Sequence, residues 1–293
     1  MLLDYIKLKE VKPALADYIR EAQLLLRRSA VPDDKAVHDI RVLMKESRAV
    51  LQLIRPQLDE ESYKREYQAL REVGRLMGSW RETSVHRKVL KSLRKEHPTL
   101  FAALKDFGPL KALLANQGPA EVVADEIKEQ SEKICELLSK SGYRIRFLSI
   151  NNLDPTELIR ELEQTYIKVG HSYLTARNRP RPENLHEFRK KAKEFLYQLW
   201  FFRPLKPGTV KSLEKKLDTM TQNLGKYNDL AVLIETMGYK YTPSNSNPAL
   251  DELVVLIRDQ QDNHLSRVWP VAYSIFCPGQ KLVNVLGFKL LVF

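Results

Sequence analysis

Apolar residues recur three or four positions apart through most of the chain, in stretches otherwise rich in Leu, Glu, Lys, Arg and Ala. That period lays side chains along one face of an α-helix. Breakers separate the stretches: Pro32-Asp33-Asp34, Arg55-Pro56, His97-Pro98, Gly108-Pro109, Gly118-Pro119, Asp154-Pro155, Pro180-Arg181-Pro182, Pro204 to Gly208, and Pro243 to Pro248. No alternating apolar and polar run reads as a strand before the C-terminal tail. The pattern predicts an all-α bundle. The tail, Lys281 to Phe293, is the most apolar segment, and its pattern fits a short strand and a docked helix end equally well.

The chain also repeats itself. Val37 to Pro56 matches Leu185 to Pro204 at an offset of 148, and Tyr18-Ile19 matches Tyr166-Ile167 at the same offset. Met77 to Val85 matches Leu224 to Val232 at an offset of 147. Three matches in one order at nearly one spacing predict two homologous helical halves, about 1–150 and 151–293, meeting near Asn151 to Pro155. Repeated helical units cannot bury their faces alone. The expected architecture is therefore one pseudo-two-fold helical bundle, a single domain over 1–293.

The first repeated helix has two faces. Ile40, Met44, Ser47, Leu51 and Ile54 step by three or four, and Leu43 and Val50 widen the stripe into a buried face. His38, Arg41, Lys45, Arg48 and Arg55 run along another face at the same spacing, with Gln52 filling the remaining step. From His38 to Arg55 the rise is about 25 Å. Asp39 and Glu46 flank this row without interrupting it. Like charges at such spacing repel, and a linear polyanion lying along the helix relieves that repulsion. Arg offers a planar fork to phosphate oxygens, and Lys a mobile point charge.

The second copy keeps the apolar face as Phe188, Ala192, Phe195, Leu199 and Phe202. It keeps His186, Arg189, Lys193 and Arg203 on the row and adds Lys190 and Lys191. Leu196 replaces Arg48 and Trp200 replaces Gln52, with Tyr197 alongside. Anion binding by this copy is expected mainly in its first two turns. Each His is expected near a helix N-terminus, where a protonated ring can donate to phosphate. Arg27, Arg28 and Arg177, late in the preceding helices, are candidates to line the same groove.

Composition narrows the class of partner. Lys plus Arg total 48 against 37 Asp plus Glu, a net charge of +11 in 293 residues. That surplus favours anionic partners without choosing among them. Cys135 and Cys277 stand apart, so neither a structural zinc site nor a disulfide framework is expected. Neither a signal peptide nor a membrane span is evident, which predicts a soluble cytoplasmic protein.

The paired His-x-x-Arg-x-x-x-Lys helices, each followed by a Gly-x-x-Arg-Asp-like turn, resemble the CHAD family, the conserved histidine α-helical domain. The resemblance runs from about Tyr18 to Leu233. It implies two pseudo-symmetric helical halves and non-catalytic binding of inorganic polyphosphate in a basic groove between them. The residues it carries over are His38, Arg41, Lys45, Arg48, His186, Arg189, Lys190 and Lys193. The Arg-Asp step is Arg81-Glu82 in the first copy and Asn228-Asp229 in the second, so Arg81 joins the candidates. With the Leu196 replacement, this departure predicts weaker anion contact in the second half. Placement on polyphosphate granules follows as an expectation.

CHAD domains often accompany triphosphate-handling domains marked by Glu-x-Glu-x-Lys on a strand. Here Glu161-Leu-Glu163 lacks the Lys and lies in a helical pattern. No nucleotide-loop, nucleophile-elbow or His-Glu-x-x-His motif is present. Carboxylates between Asp125 and Glu136 interleave with Lys128 and Lys133 as surface pairs. No catalytic residue, metal ligand or cofactor is expected. The alternatives are a metal-dependent polyphosphate or triphosphate hydrolase and, less favoured, a nucleic-acid-binding protein. Against the last, Phe188, Phe195 and Phe202 belong to the buried face and cannot serve as stacking platforms. Reversing charge at Arg41 and Arg189 is expected to abolish binding and spare the fold.

Overall fold

In the computed structural model the described residues are 6–29, 32–78, 89–114, 121–148, 150, 153–239 and 247–287. The Gly118-Pro119 break, Asn151-Asn152, Arg81-Glu82, most of Pro243 to Pro248 and the tail beyond Gly287 lie outside them. Every regular element among the described residues is helical. The long helices are α1 (Val11–Arg27), α2 (Asp34–Ile54), α3 (Glu60–Leu76), α7 (Glu121–Arg146), α8 (Pro155–Asn178), α9 (Pro182–Leu199), α10 (Pro207–Thr236) and α11 (Pro248–Phe276). Shorter ones are α4 (described over 89–96), α5 (Pro98–Ala103), α6 (Gly108–Leu114) and α12 (Leu282–Leu286).

The sequence breakers start helices as their chemistry requires. Asp33, Asp59, Asp154 and Asn247 accept backbone N–H groups of the first turn of α2, α3, α8 and α11. Proline occupies the opening turn of α8, α9, α10 and α11, where its missing N–H costs no helical bond. Over Lys281 to Gly287 the tail is a helix end. Leu282 and Leu286 of α12 are buried against the bundle, and Gly287 ends it in the left-handed region at φ 69°.

The helices pack in two sets with the same pairing. In one, α1 lies against α2 and α7, and α3 lies against α2 and α7. In the other, α8 lies against α9 and α11, and α10 lies against α9 and α11. Helices α2 and α9 meet where the sets join, and Gln198 of α9, fully buried, donates to the Ala49 carbonyl of α2 at 3.2 Å. One apolar cluster runs through both sets from Ile6 to Leu286. It contains both predicted apolar faces, including Ile40, Met44 and Leu51 of α2 and Phe188, Phe195 and Phe202 of the second copy. A separate cluster seats α4 to α6 on the far parts of α10 and α11, through Leu93, Phe101 and Leu104 against Leu233, Met237 and Ile257.

Candidate functional site

Because the apolar stripes of α2 and α9 face the core, their basic rows are turned to one surface of the α2–α9 junction. A groove of about 440 Å³ opens there between α2, α3 and α9. Arg41, Lys45 and Arg48 come from α2, Arg71 and Tyr67 from α3, and His186, Arg189, Lys190, Lys191, Lys193 and Tyr197 from α9. Eight Lys and Arg side chains therefore share the groove with two carboxylates, Glu187 and Glu194. Glu187 is paired with Lys190 at 2.5 Å.

Two arginines are tied into the scaffold. Arg41 donates from Nη1 to the Gly74 carbonyl of α3, and Arg189 from Nε to the Thr221 carbonyl of α10 at 3.1 Å. The two contacts fall in register, since 41 and 189 differ by 148 and 74 and 221 by 147. Of the two repeated glycines, Gly225 makes room for the close approach, whereas at Gly78 a side chain would meet only ordinary van der Waals contact. A Cβ on Gly225 would sit 3.1 Å from the Arg189 guanidinium, and one on Gly78 would sit 3.6 Å from that of Arg41. The Gly-x-x-Arg-Asp-like segment was expected as a turn. In the second copy Leu224 to Asp229 instead lies inside α10. There the glycine supplies room for Arg189, and its conformational freedom is not used.

The remaining expected residues divide. His38 and His186 lie one turn further in than a helix N-terminus, each the fifth residue of its helix. His38 is exposed on α2. His186 is held by Asn228 of α10, Nδ1 to Oδ1 at 3.0 Å. Burial, then Lys190 and Arg189, push the His186 pKa below its ordinary 6.5. At neutral pH it is an uncharged, oriented ring, so an imidazolium contribution from His186 near neutrality is not supported.

Arg55 and Arg203 sit outside this groove. Arg55 meets Glu60 at 3.3 Å and lies over Tyr63, while Arg203 meets Glu214 at 2.8 Å. Arg27, Arg28 and Arg177 do not line it either. Arg27 points at Cys135 of α7 from 3.8 Å, Arg28 is exposed at the end of α1, and Arg177 lies over Trp269 of α11 at 4.9 Å. Arg81 falls outside the described residues. Tyr67 and Arg71 had no signal in the sequence beyond the helical period of α3.

A second cavity of about 410 Å³ adjoins the first and shares Tyr197 with it. It lies between α1, α2, α9 and α10, and its charges balance: Arg203, Lys211 and Lys215 against Glu46, Glu214 and Asp218. Asp218 accepts from Lys193 at 2.9 Å and from Gln222 at 2.7 Å. Glu46, expected merely to flank the α2 row, is half-buried here. Burial first, then the neighbouring Glu21, raise its pKa to about 7, against the opposing pull of Lys193. Glu194 is also raised, mainly by burial. Among the described residues, no group of three or more His, Cys, Asp or Glu side chains is placed to hold a metal ion, and no helix is long and apolar enough to cross a membrane.

Residues 12–238 match the family model described as CHAD domain. The chain belongs to the CHAD family. Its fold is similar to the crystal structure of the CHAD domain from the plant Ricinus communis, with a TM-score of 0.58 at 15% identity over 97% of this chain and 92% of that one. No curated protein sequence matches the chain. The CHAD match ends at Gly238, so it includes every residue that lines the two cavities and leaves α11 and α12 beyond it.

Proposed function

We propose that this CHAD chain binds inorganic polyphosphate in the groove between its two homologous halves and does not turn it over. The observation that carries this reading is the excess of eight cations over two carboxylates in one groove drawn from both sequence repeats. Polyphosphate carries a negative charge at each phosphate along a thin, flexible chain. It can therefore follow a row of Lys and Arg side chains without needing a base-stacking surface. The two groove tyrosines, Tyr67 and Tyr197, already lie beside Arg48 and Lys193, with cation-to-ring distances of 5.8 and 5.7 Å. That arrangement leaves little free aromatic face for bases, and it favours polyphosphate over nucleic acid. A cytoplasmic place, on polyphosphate granules where these exist, belongs to the same proposal.

The residues assigned the strongest contact are Lys45, Arg48 and Arg71, with Lys190 and Lys191 contributing from their partly exposed pairs with Glu187. Arg41 and Arg189 contribute charge from positions fixed by the adjoining helix. The test is titration with polyphosphate against single-stranded DNA and RNA at matched salt, with a parallel assay for phosphate release in Mg²⁺ or Mn²⁺. Micromolar or tighter binding of polyphosphate, at least tenfold preferred and without release, is expected. Reversal at Arg48 and Arg71 to Glu should remove it with the helical signal intact. Release at enzymatic rates would establish the hydrolase reading instead, and equal affinity for nucleic acid would overturn the assignment of ligand.

A further inference from the structure

The two cavities that meet at Tyr197 occupy corresponding places in the sequence repeat, yet they differ in charge. Helix α3 walls the first and α10 walls the second. At the offset of 147 that relates these helices, Tyr67 corresponds to Glu214 and Arg71 to Asp218. At these positions one wall presents an aromatic ring and a cation and the other two carboxylates, with Lys211 and Lys215 also on the α10 wall.

Those carboxylates are engaged. Glu214, only 10% exposed, accepts from Arg203 Nε with both oxygens, at 3.0 and 2.8 Å. Asp218 uses one oxygen for Lys193 and the other for Gln222. Two cations that would continue the phosphate track, Lys193 of α9 at the edge of the first groove and Arg203 beyond α9 in the second cavity, are thus already neutralised by groups of the chain itself. A phosphate entering there would have to displace a carboxylate from a charge-assisted bond and then lie beside it.

We propose that Asp218 and Glu214 close the second arm of the groove to phosphate, confining the ligand to the first arm and limiting what a longer chain gains. The proposal rests on the polyphosphate reading above. It makes the pair determinants of chain-length specificity, acting as fixed occupants of positions that phosphates would otherwise take.

The experiment compares tripolyphosphate with long-chain polyphosphate on wild-type protein and on the double variant Asp218→Asn, Glu214→Gln. The control is Glu129→Gln, Glu132→Gln on α7, which changes net charge equally at an exposed site. Opening the second arm should tighten long-chain binding by about tenfold and steepen its salt dependence, because Lys193 and Arg203 then release counterions. Tripolyphosphate affinity should change less than about threefold, and the control should leave both ligands nearly unchanged. In the converse variant, Arg71→Asp, both chain lengths should weaken together, since the first arm holds each.

Equal gains for the two ligands, or the same gain in the control, would reduce the effect to net charge and overturn the proposal. No gain in a double variant that melts near the wild-type temperature would also overturn it. Should wild-type protein bind neither ligand, the polyphosphate assignment itself fails, and this inference with it.

Discussion

Glu46 shows how much a single side chain's meaning depends on its surroundings. On a helical wheel it sits beside the basic row of α2 and reads as a solvated flank. In the fold it is half-buried in the second cavity, between α1, α2, α9 and α10, and burial lifts its pKa to about 7. Below about pH 7 the carboxyl is neutral and adds no negative charge in the second cavity beside the groove. As pH rises through that value a negative charge appears near Lys193 and anion binding weakens. Polyphosphate affinity should therefore fall by about fivefold, on the order of 1 kcal/mol, between mildly acidic and mildly alkaline buffer. Glu46→Gln should hold the acidic-side affinity across that range, with titration calorimetry as the readout. Folding stability has the same sign. The raised pKa means the folded state keeps a proton that the unfolded chain releases from its ordinary 4.5, so stability falls as pH climbs through about 7. An unchanged pH profile in Glu46→Gln would place the titrating group elsewhere.

At the scale of helices, most of the architecture is legible in the chain. The apolar stripes of α2 and α9 predict their buried faces residue by residue, because a 3.6-residue period admits one solution once the core side is known. The breakers predict helix starts because Asp and Asn caps and opening prolines act locally. What the sequence hides is contact between helices. Nothing local marks Gly74 and Thr221 as the carbonyls that receive Arg41 and Arg189, so both arginines read as free ligands when they are also braces. Charge reversal at these two positions should lower the melting temperature as well as abolish binding, contrary to the expectation from sequence. Lys45, Arg48 and Arg71 are the cleaner probes.

Glu66 is equally invisible in the pattern. It is fully buried on α3 and receives Ser141 at 2.7 Å and Arg144 from α7, with Arg65 at 3.0 Å. Burial alone would raise its pKa, but the bonds from Arg144, Ser141 and Arg65 together hold it below 4.5. A depressed carboxylate stabilises above its unfolded pKa, and that contribution is lost as pH falls through the folded value. Glu66→Gln should cost about 3 kcal/mol in urea unfolding at neutral pH, with a smaller difference in acid.

Across the whole molecule, the two sets of helices supply a scaffold whose apolar core holds like charges together. Neither set alone completes the groove: α2 and α3 bring one wall and α9 the other. Its location at the α2–α9 junction follows from the repeat, since the same helix in each copy carries the basic row. Its charge asymmetry does not follow, because the repeat is plainest on α2 and α9 while the difference lies on α3 and α10. Its trace in the sequence is the offset of 147, which sets Arg71 against Asp218.

The concentration of cations in the groove implies that the empty protein is under electrostatic pressure. Packing of Phe188, Phe195 and the residues around them keeps the site assembled against mutual repulsion before any ligand arrives. Added sodium chloride should then have opposite effects on the two states. It should raise the melting temperature of the unliganded protein by screening the crowded ammonium and guanidinium groups. The same salt should erode the extra thermal protection given by polyphosphate, because ions released on binding become harder to release. Calorimetric melts with and without ligand along a salt series should therefore converge, one curve climbing as the other descends.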